Sequence, residues 1–129
     1  MITIGALNFE YGNKVVARFS NIGKINVDVF APGVKIYATT PNNKYQYLQG
    51  TSMAAPNAAG VAALIRSYYP KLSAKQVKQI LMESGVAITT NVIVAGKAND
   101  TRSFTTLSKS GKIVNAYNAL LMAEKISKK

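Results

Sequence analysis

Between Ile2 and Gln49 the apolar residues come in short runs separated by polar turns. Ile2–Leu7 (ITIGAL) and Asn26–Gly33 (NVDVFAPG) are compact and rich in branched apolar residues, which predicts buried strands of a parallel sheet. Val15–Ser20 (VVARFS) mixes apolar and polar positions, and NIGK after it reads as a turn. Val34–Thr40 alternates, with Val34, Ile36 and Ala38 on one face and Lys35, Tyr37 and Thr39 on the other. After the polar turn Pro41–Lys44, Tyr45–Gln49 alternates again, so the two runs predict a hairpin.

From Ser52 the period changes. Ala54, Ala55, Ala58, Ala59, Ala62 and Ala63, with Val61, Leu64 and Ile65, make a segment apolar nearly all round, and such a helix is expected to be buried. Pro56 falls near its start, where a missing N–H costs little, and Pro70 requires it to end near Tyr68-Tyr69. Ser73 followed by Gln76 has the form of a capping box, and the helix it opens carries Val77, Ile80 and Leu81 on one face and closes at Gly85. Residues 86–111 predict a loop region with one hairpin. Asn115–Ile126 predicts a last amphipathic helix capped by Asn115. Strands first, then a buried helix, then two amphipathic helices, point to part of an α/β layered domain.

Composition narrows the chemistry sharply. The 129 residues contain no cysteine, which excludes a disulfide framework, a thiol nucleophile and thiolate metal sites. They also contain no histidine, which removes the commonest general base and neutral metal ligand. Net charge is +11, from 16 Lys and Arg against 5 Asp and Glu. That balance favours acidic partners. The cations are scattered except for Lys125, Lys128 and Lys129, so the pattern reads as a solvated basic surface, not as a nucleic-acid-binding arm. No apolar run reaches the length of a membrane span, and the first residues lack the pattern of a signal peptide.

Gln49–Gly60 (QGTSMAAPNAAG) is the candidate site. A side chain at Ser52, where a glycine-led turn meets a helix, faces unpaired N–H groups and the positive end of the helix dipole. Such a place stabilises developing negative charge. By position alone the commoner role of a serine there is an N-cap.

The letters around Ser52 add to this. GTSMAAP, with Ala31-Pro32-Gly33 upstream and an alanine-rich helix downstream, resembles the segment that carries the nucleophilic serine in the subtilisin-like serine proteases, the subtilases. ITIGAL, FSNIGKINVDVFAPGVKIYATTP, GVAALIRSYYPKLSAKQVKQIL and GKIVNAYNAL resemble consecutive further segments of that family, so the resemblance covers nearly the whole chain, least so at residues 86–110. It implies the C-terminal portion of a three-layer subtilisin-like domain, with a mostly parallel sheet and a buried central helix starting at Ser52. It implies Ser52 as nucleophile of an acyl-enzyme mechanism, with its N–H as one oxyanion donor and Thr51 shaping that side of the site. Met53 would pack beside the nucleophile, and Leu48 and Gln49 would line the leaving-group side. Asp28 matches a structural acid of the family. Asn57 departs from it, since a histidine commonly follows that proline.

The family's catalytic Asp and His, and the Asn of its oxyanion hole, belong to segments upstream of the one that ITIGAL resembles. The 129 residues are therefore expected to act as the C-terminal part of a catalytic domain and to be inactive alone, their partner being the N-terminal half and their substrate a peptide or protein. No cofactor is implied for this chain, although full-length members often hold calcium elsewhere. The family is largely exported, so the full-length form is expected to be secreted or periplasmic. Ser52 is not followed by the lysine of a Ser-x-x-Lys pair, and Ala54 spoils a G-x-S-x-G elbow. A second reading is a non-catalytic pseudo-protease that holds a peptide. An isolated chain of this kind is further expected to expose an open apolar sheet edge and to be poorly soluble or to melt non-cooperatively.

Overall fold

A computed structural model describes residues 1–128; Lys129, the last of the three clustered lysines, lies outside the described residues. Two short parallel strands, β1 (Ile4–Leu7) and β2 (Val29–Pro32), start the main sheet. They pair in register from Ile4 opposite Val29 to Leu7 opposite Pro32. β3 (Ile36–Thr40) and β4 (Lys44–Leu48) form a separate antiparallel hairpin. The helix α1 (Thr51–Tyr68) follows, then α2 (Ala74–Glu83). β5 (Val86–Ala87) rejoins the main sheet, β6 (Asn91–Val94) and β7 (Lys97–Ser103) make a second hairpin, β8 (Lys112–Ile113) returns to the sheet, and α3 (Ala116–Ser127) ends the described fold. The four-stranded sheet has the order β1-β2-β8-β5, parallel except for β5.

Alternation along β1 and β2 assigns their two faces. Ala6 and Ala31 pack on Ala54 and Ala58 of α1. These small side chains let the helix backbone approach the sheet. Leu7 and Phe30 point the other way, into a cluster with Val92, Val94, Phe104 and Leu107 under the second hairpin. The fold is layered on both faces of the sheet, with helices on one face and a β-hairpin on the other. α2 and α3 close over the far half of α1 through Ile65, Val77, Ile80, Leu81, Ala119 and Ala123.

α1 differs from its expected burial. It begins at Thr51, not Ser52, and only Ala54, Ala58 and Ile65 are fully buried. Ala55, Ala59, Gly60 and Ala63 are exposed. The sheet, α2 and α3 cover one side of the helix, and alanine signals small size rather than a direction of burial. Pro56 is the sixth residue of the helix, beyond the first turn, so it withholds an N–H from the Ser52 carbonyl four residues back.

The edge of β1 also differs from the open edge expected. The Ala17 N–H donates to the Ala6 carbonyl, the Asn8 N–H to the Val15 carbonyl, and the Ala6 N–H to Ser20 Oγ. Val15–Ser20 thus forms no strand but closes the C-terminal half of that edge. In residues 86–111, which predict a loop with one hairpin, the hairpin is β6–β7; β5 within them and β8 just after them are added to the main sheet. α2 is capped by Ser84, whose hydroxyl donates to the Ile80 carbonyl. Gly85 is there for close approach, not as a left-handed cap: a Cβ on it would lie 2.6 Å from the Ile113 carbonyl oxygen of β8.

Both predicted caps form. The Gln76 N–H donates to Ser73 Oγ at 3.3 Å while the Ser73 N–H donates to Gln76 Oε1 at 2.9 Å. Asn115 accepts from the Asn118 N–H at 2.9 Å.

Candidate active site

Parallel strands end on one edge of the sheet, and ligand sites of α/β folds gather at that carboxyl edge. Here β2 ends at Pro32-Gly33, and the N-terminus of α1 is held directly against that turn. The Gly50 N–H donates to the Gly33 carbonyl at 2.8 Å. Asn57, the seventh residue of α1, donates from Nδ2 to the Pro32 carbonyl at 2.9 Å and to the Met53 carbonyl at 3.1 Å. The start of the helix is therefore clamped to the strand end at two points.

Both glycines of the clamp are required by geometry. Gly50, the N-cap, has φ of 151°, a conformation that side chains disfavour. A Cβ on Gly33 would fall 2.7 Å from the Ala6 Cβ and 2.9 Å from the Gly50 oxygen. Gly33→Ala is accordingly expected to destabilise the chain by about 1–3 kcal/mol, the cost of overpacking a close contact. The midpoint of urea unfolding measures it, with Gly60→Ala as the control of opposite sign: it lies inside α1, a Cβ there meets nothing within 4 Å, and alanine should stabilise the helix by up to about 1 kcal/mol.

Ser52 is the second residue of α1 and is exposed. It is not the N-cap; Gly50 holds that position and supplies no side-chain cap. The first N–H groups of a helix have no intrahelical acceptor, so the Ser52 hydroxyl and its own N–H share an electropositive end. The Met53 N–H folds back to the Gly50 carbonyl at 3.0 Å. Thr51 and Met53 are half-buried on either side of Ser52, Leu48 is half-buried at the end of β4, and Gln49 is exposed. Residues 48–53 thus form one continuous rim. A cavity of about 510 Å³ is lined by Met1, Ile2, Ala62, Arg66 and Leu81, none of which belongs to this rim.

Asp28 lies at the opposite end of β2. It is separated from Gly33 by five residues of nearly extended chain, about 16 Å, and it is buried. Its carboxylate accepts from the Thr3 N–H and from Lys78 Nζ, both at 2.8 Å, and Lys78 Nζ also donates to the Met1 carbonyl at 3.0 Å. Burial alone would raise the carboxyl pKa, but the hydrogen bonds from Lys78 and Thr3 outweigh it and hold the group below its ordinary 3.8. The folded-state pKa is depressed, so this stabilisation is complete above the unfolded value and is lost as pH falls through the folded one. Asp28→Asn is expected to flatten stability below about pH 5, measured as the urea midpoint at pH 7 and pH 3. The same acid-limb slope in wild type and variant would contradict this assignment.

Among the described residues no group of three or more His, Cys, Asp or Glu is placed to hold a metal ion, and no helix is long and apolar enough to cross a membrane. Asn57 stands out in the sequence only as a departure from the family's histidine; its clamping contact to the Pro32 carbonyl, 25 residues away, is not legible there.

The Subtilase family model matches residues 1–111. Subtilisin DY of Bacillus licheniformis is 51% identical over 81 residues, covering 63% of this chain and 28% of that protein. Subtilisin-like protease 1 of Plasmodium falciparum is 46% identical over 85 residues, covering 64% of this chain and 12% of that protein. Among solved structures, a chain of the subtilase cytotoxin SubAB assembly superposes with a TM-score of 0.73 at 27% identity, covering 98% of this chain and 37% of that one. The A-subunit of the AB5 toxin from E. coli gives 0.73 at 26% identity, covering 95% and 37%. The chain therefore spans well under half the length of each of these proteins.

Proposed function

The chain belongs to the subtilase family, and from that premise we propose that Ser52 is the nucleophile of a serine-type endopeptidase whose proton acceptor is supplied from outside these 129 residues. The single observation that carries the reading is the exposed Ser52 hydroxyl at the second position of an 18-residue helix clamped to the carboxyl edge of the sheet. In the proposed reaction Ser52 Oγ attacks the scissile carbonyl while an imidazole takes its proton. The carbonyl oxygen gains charge beside the Ser52 N–H, where the helix end and the unpaired amide stabilise it. Thr51 borders that oxyanion position, Met53 packs beside the nucleophile, and Leu48 and Gln49 line the leaving-group side. On collapse of the tetrahedral intermediate the C–N bond breaks, the amine leaves with the proton the imidazole had taken, and the acyl-Ser52 that remains is hydrolysed by water to free acid and Ser52 hydroxyl.

The sequence contains no histidine, so no imidazole within the chain can activate Ser52. The proposed arrangement is a C-terminal portion of a catalytic domain, silent alone and competent when joined to a segment bearing Asp, His and a second oxyanion donor. An exported setting belongs to the same reading. A fluorophosphonate probe tests it: no labelling of the chain alone, and labelling at Ser52 once such a segment is present. Failure of the joined protein to label would favour a non-catalytic peptide holder.

A further inference from the structure

One face of the β3–β4 hairpin carries three tyrosines that are largely exposed among the described residues. Tyr37, Tyr45 and Tyr47 are 62%, 60% and 71% exposed. Register places them together: Tyr37 is opposite Tyr47, and Tyr45 is opposite Thr39 on the same face. Tyr37 stacks on Tyr45 with ring centroids 5.7 Å apart and tilts against Tyr47 at 5.0 Å. A preformed aromatic face of this kind binds with little loss of side-chain freedom. β3 and β4 form a two-stranded sheet, so each has an outer edge without a strand partner among the described residues. Such an edge can accept an extended polypeptide through main-chain hydrogen bonds.

Charge decides which polypeptide. No Asp or Glu occurs anywhere from residue 29 to residue 82, a stretch that includes the hairpin, α1 and nearly all of α2, whereas Lys35, Lys44, Arg66, Lys71, Lys75 and Lys78 do. Three of the five acids are held in ion pairs with Lys78, Arg102 and Lys128. Glu83 accepts from Gln79, and Glu10 lines a cleft shared with Lys14 and Arg18. Lys35 lies over the Phe9 ring at 3.6 Å, and Lys44 stands exposed at the hairpin turn. Neither is in a salt bridge among the described residues.

We propose that the β3–β4 hairpin is a docking rail for acidic, extended polypeptide, with its aromatic face and free edge holding the chain and Lys35 and Lys44 selecting its charge. The rail runs into Leu48 and Gln49, so it would hold the part of a substrate on the leaving-group side of the bond presented to Ser52. That last clause rests on the protease reading. Docking itself does not, because it is measured without cleavage.

The test uses the 129-residue chain, a nine-residue peptide of alternating Glu and Ala, its Lys and Ala counterpart, and a nine-nucleotide oligothymidylate. The chain has no tryptophan and seven tyrosines, three of them in the patch, so a change in tyrosine emission reports binding and amide shifts locate the contact. The acidic peptide is expected to bind at least about tenfold tighter than the basic one, and to weaken as salt rises. Lys44→Glu, a change at an exposed turn, is expected to weaken it about fivefold, and Tyr47→Ser to remove the emission change with the α2 and α3 amide shifts unmoved. Equal binding of the two peptides, no binding of either, shifts away from residues 34–50, or binding of the oligothymidylate in preference would each overturn the proposal. Loss of Ser52 labelling in the joined protein, with docking intact, would sink the protease reading alone.

Discussion

Joined to a segment that supplies the imidazole, Ser52 is expected to react with a fluorophosphonate at least about 10⁴-fold faster than in the 129-residue chain alone. For a subtilisin, a member of this family, removing the catalytic histidine costs about 10⁶ in kcat, a magnitude that belongs to that enzyme and not to this chain. The expected factor is smaller because the probe carries a better leaving group than a peptide and leans less on proton transfer. A serine hydroxyl is a weak nucleophile at neutral pH, and the helix end stabilises charge on the oxyanion without removing the hydroxyl proton. Rates of labelling, followed by intact mass, measure the ratio. Ser52→Ala in the joined protein must abolish the adduct, and an adduct elsewhere would dismiss Ser52. Equal rates with and without the added segment would show that no base reaches the hydroxyl.

The same rate carries information about the clamp. Asn57 and Gly50 fix the first turn of α1 against Gly33 and Pro32, and they do so with an amide and a backbone N–H, neither of which titrates near neutrality. The position of Ser52 is therefore independent of pH over the range in which an imidazole changes charge, so any pH dependence of labelling belongs to the added base.

What is legible in the sequence is local. The β3–β4 hairpin follows from alternation on both sides of Pro41–Lys44, and the turn is completed by Asn42 and Asn43 at φ of 65° and 54°. The caps at Ser73 and Asn115 are contacts spanning three residues, and the letters spell them out. β5 and β8 are not legible because strands of two residues have no period, and their existence is decided by partners far along the chain. The alanines of α1 predict burial throughout because alanine is apolar, yet the side that is covered is decided by Ala6 and Ala31 of the sheet. Gly85 reads as a cap from its place after a helix, whereas its role is set by Ile113, a strand residue 28 positions further on. At the candidate site, the Gly50–Ser52 turn is visible in the letters and the two contacts that hold it, to Gly33 and Pro32, are not.

Phe30→Ala is expected to cost about 3–5 kcal/mol, the range for deleting a fully buried aromatic ring. Phe30 is completely buried in the middle of β2 and tilts against Phe104 at 5.0 Å between ring centroids. Leu7, Val92, Val94 and Leu107 complete its surroundings. Gly5, opposite it in register, leaves the space the ring occupies. Phe30 joins the sheet, the β6–β7 hairpin and the Phe104 turn at once, so its loss should release the whole second face. Folded domains hold roughly 5–15 kcal/mol in total, and so the variant should unfold at a much lower urea concentration, with the amides of β6 and β7 losing exchange protection first. α1, α2 and α3 pack through a separate cluster around Ile65 and Ile80, and their amides should outlast those of the hairpin. Phe30→Leu, which keeps most of the volume, should recover the larger part of the loss. If the alanine variant lost protection evenly over both faces, the two clusters would act as one cooperative unit. In that case the strand that carries Gly33 would report any damage at Phe30 directly to the first turn of α1, and the rate of Ser52 labelling would fall in step with stability.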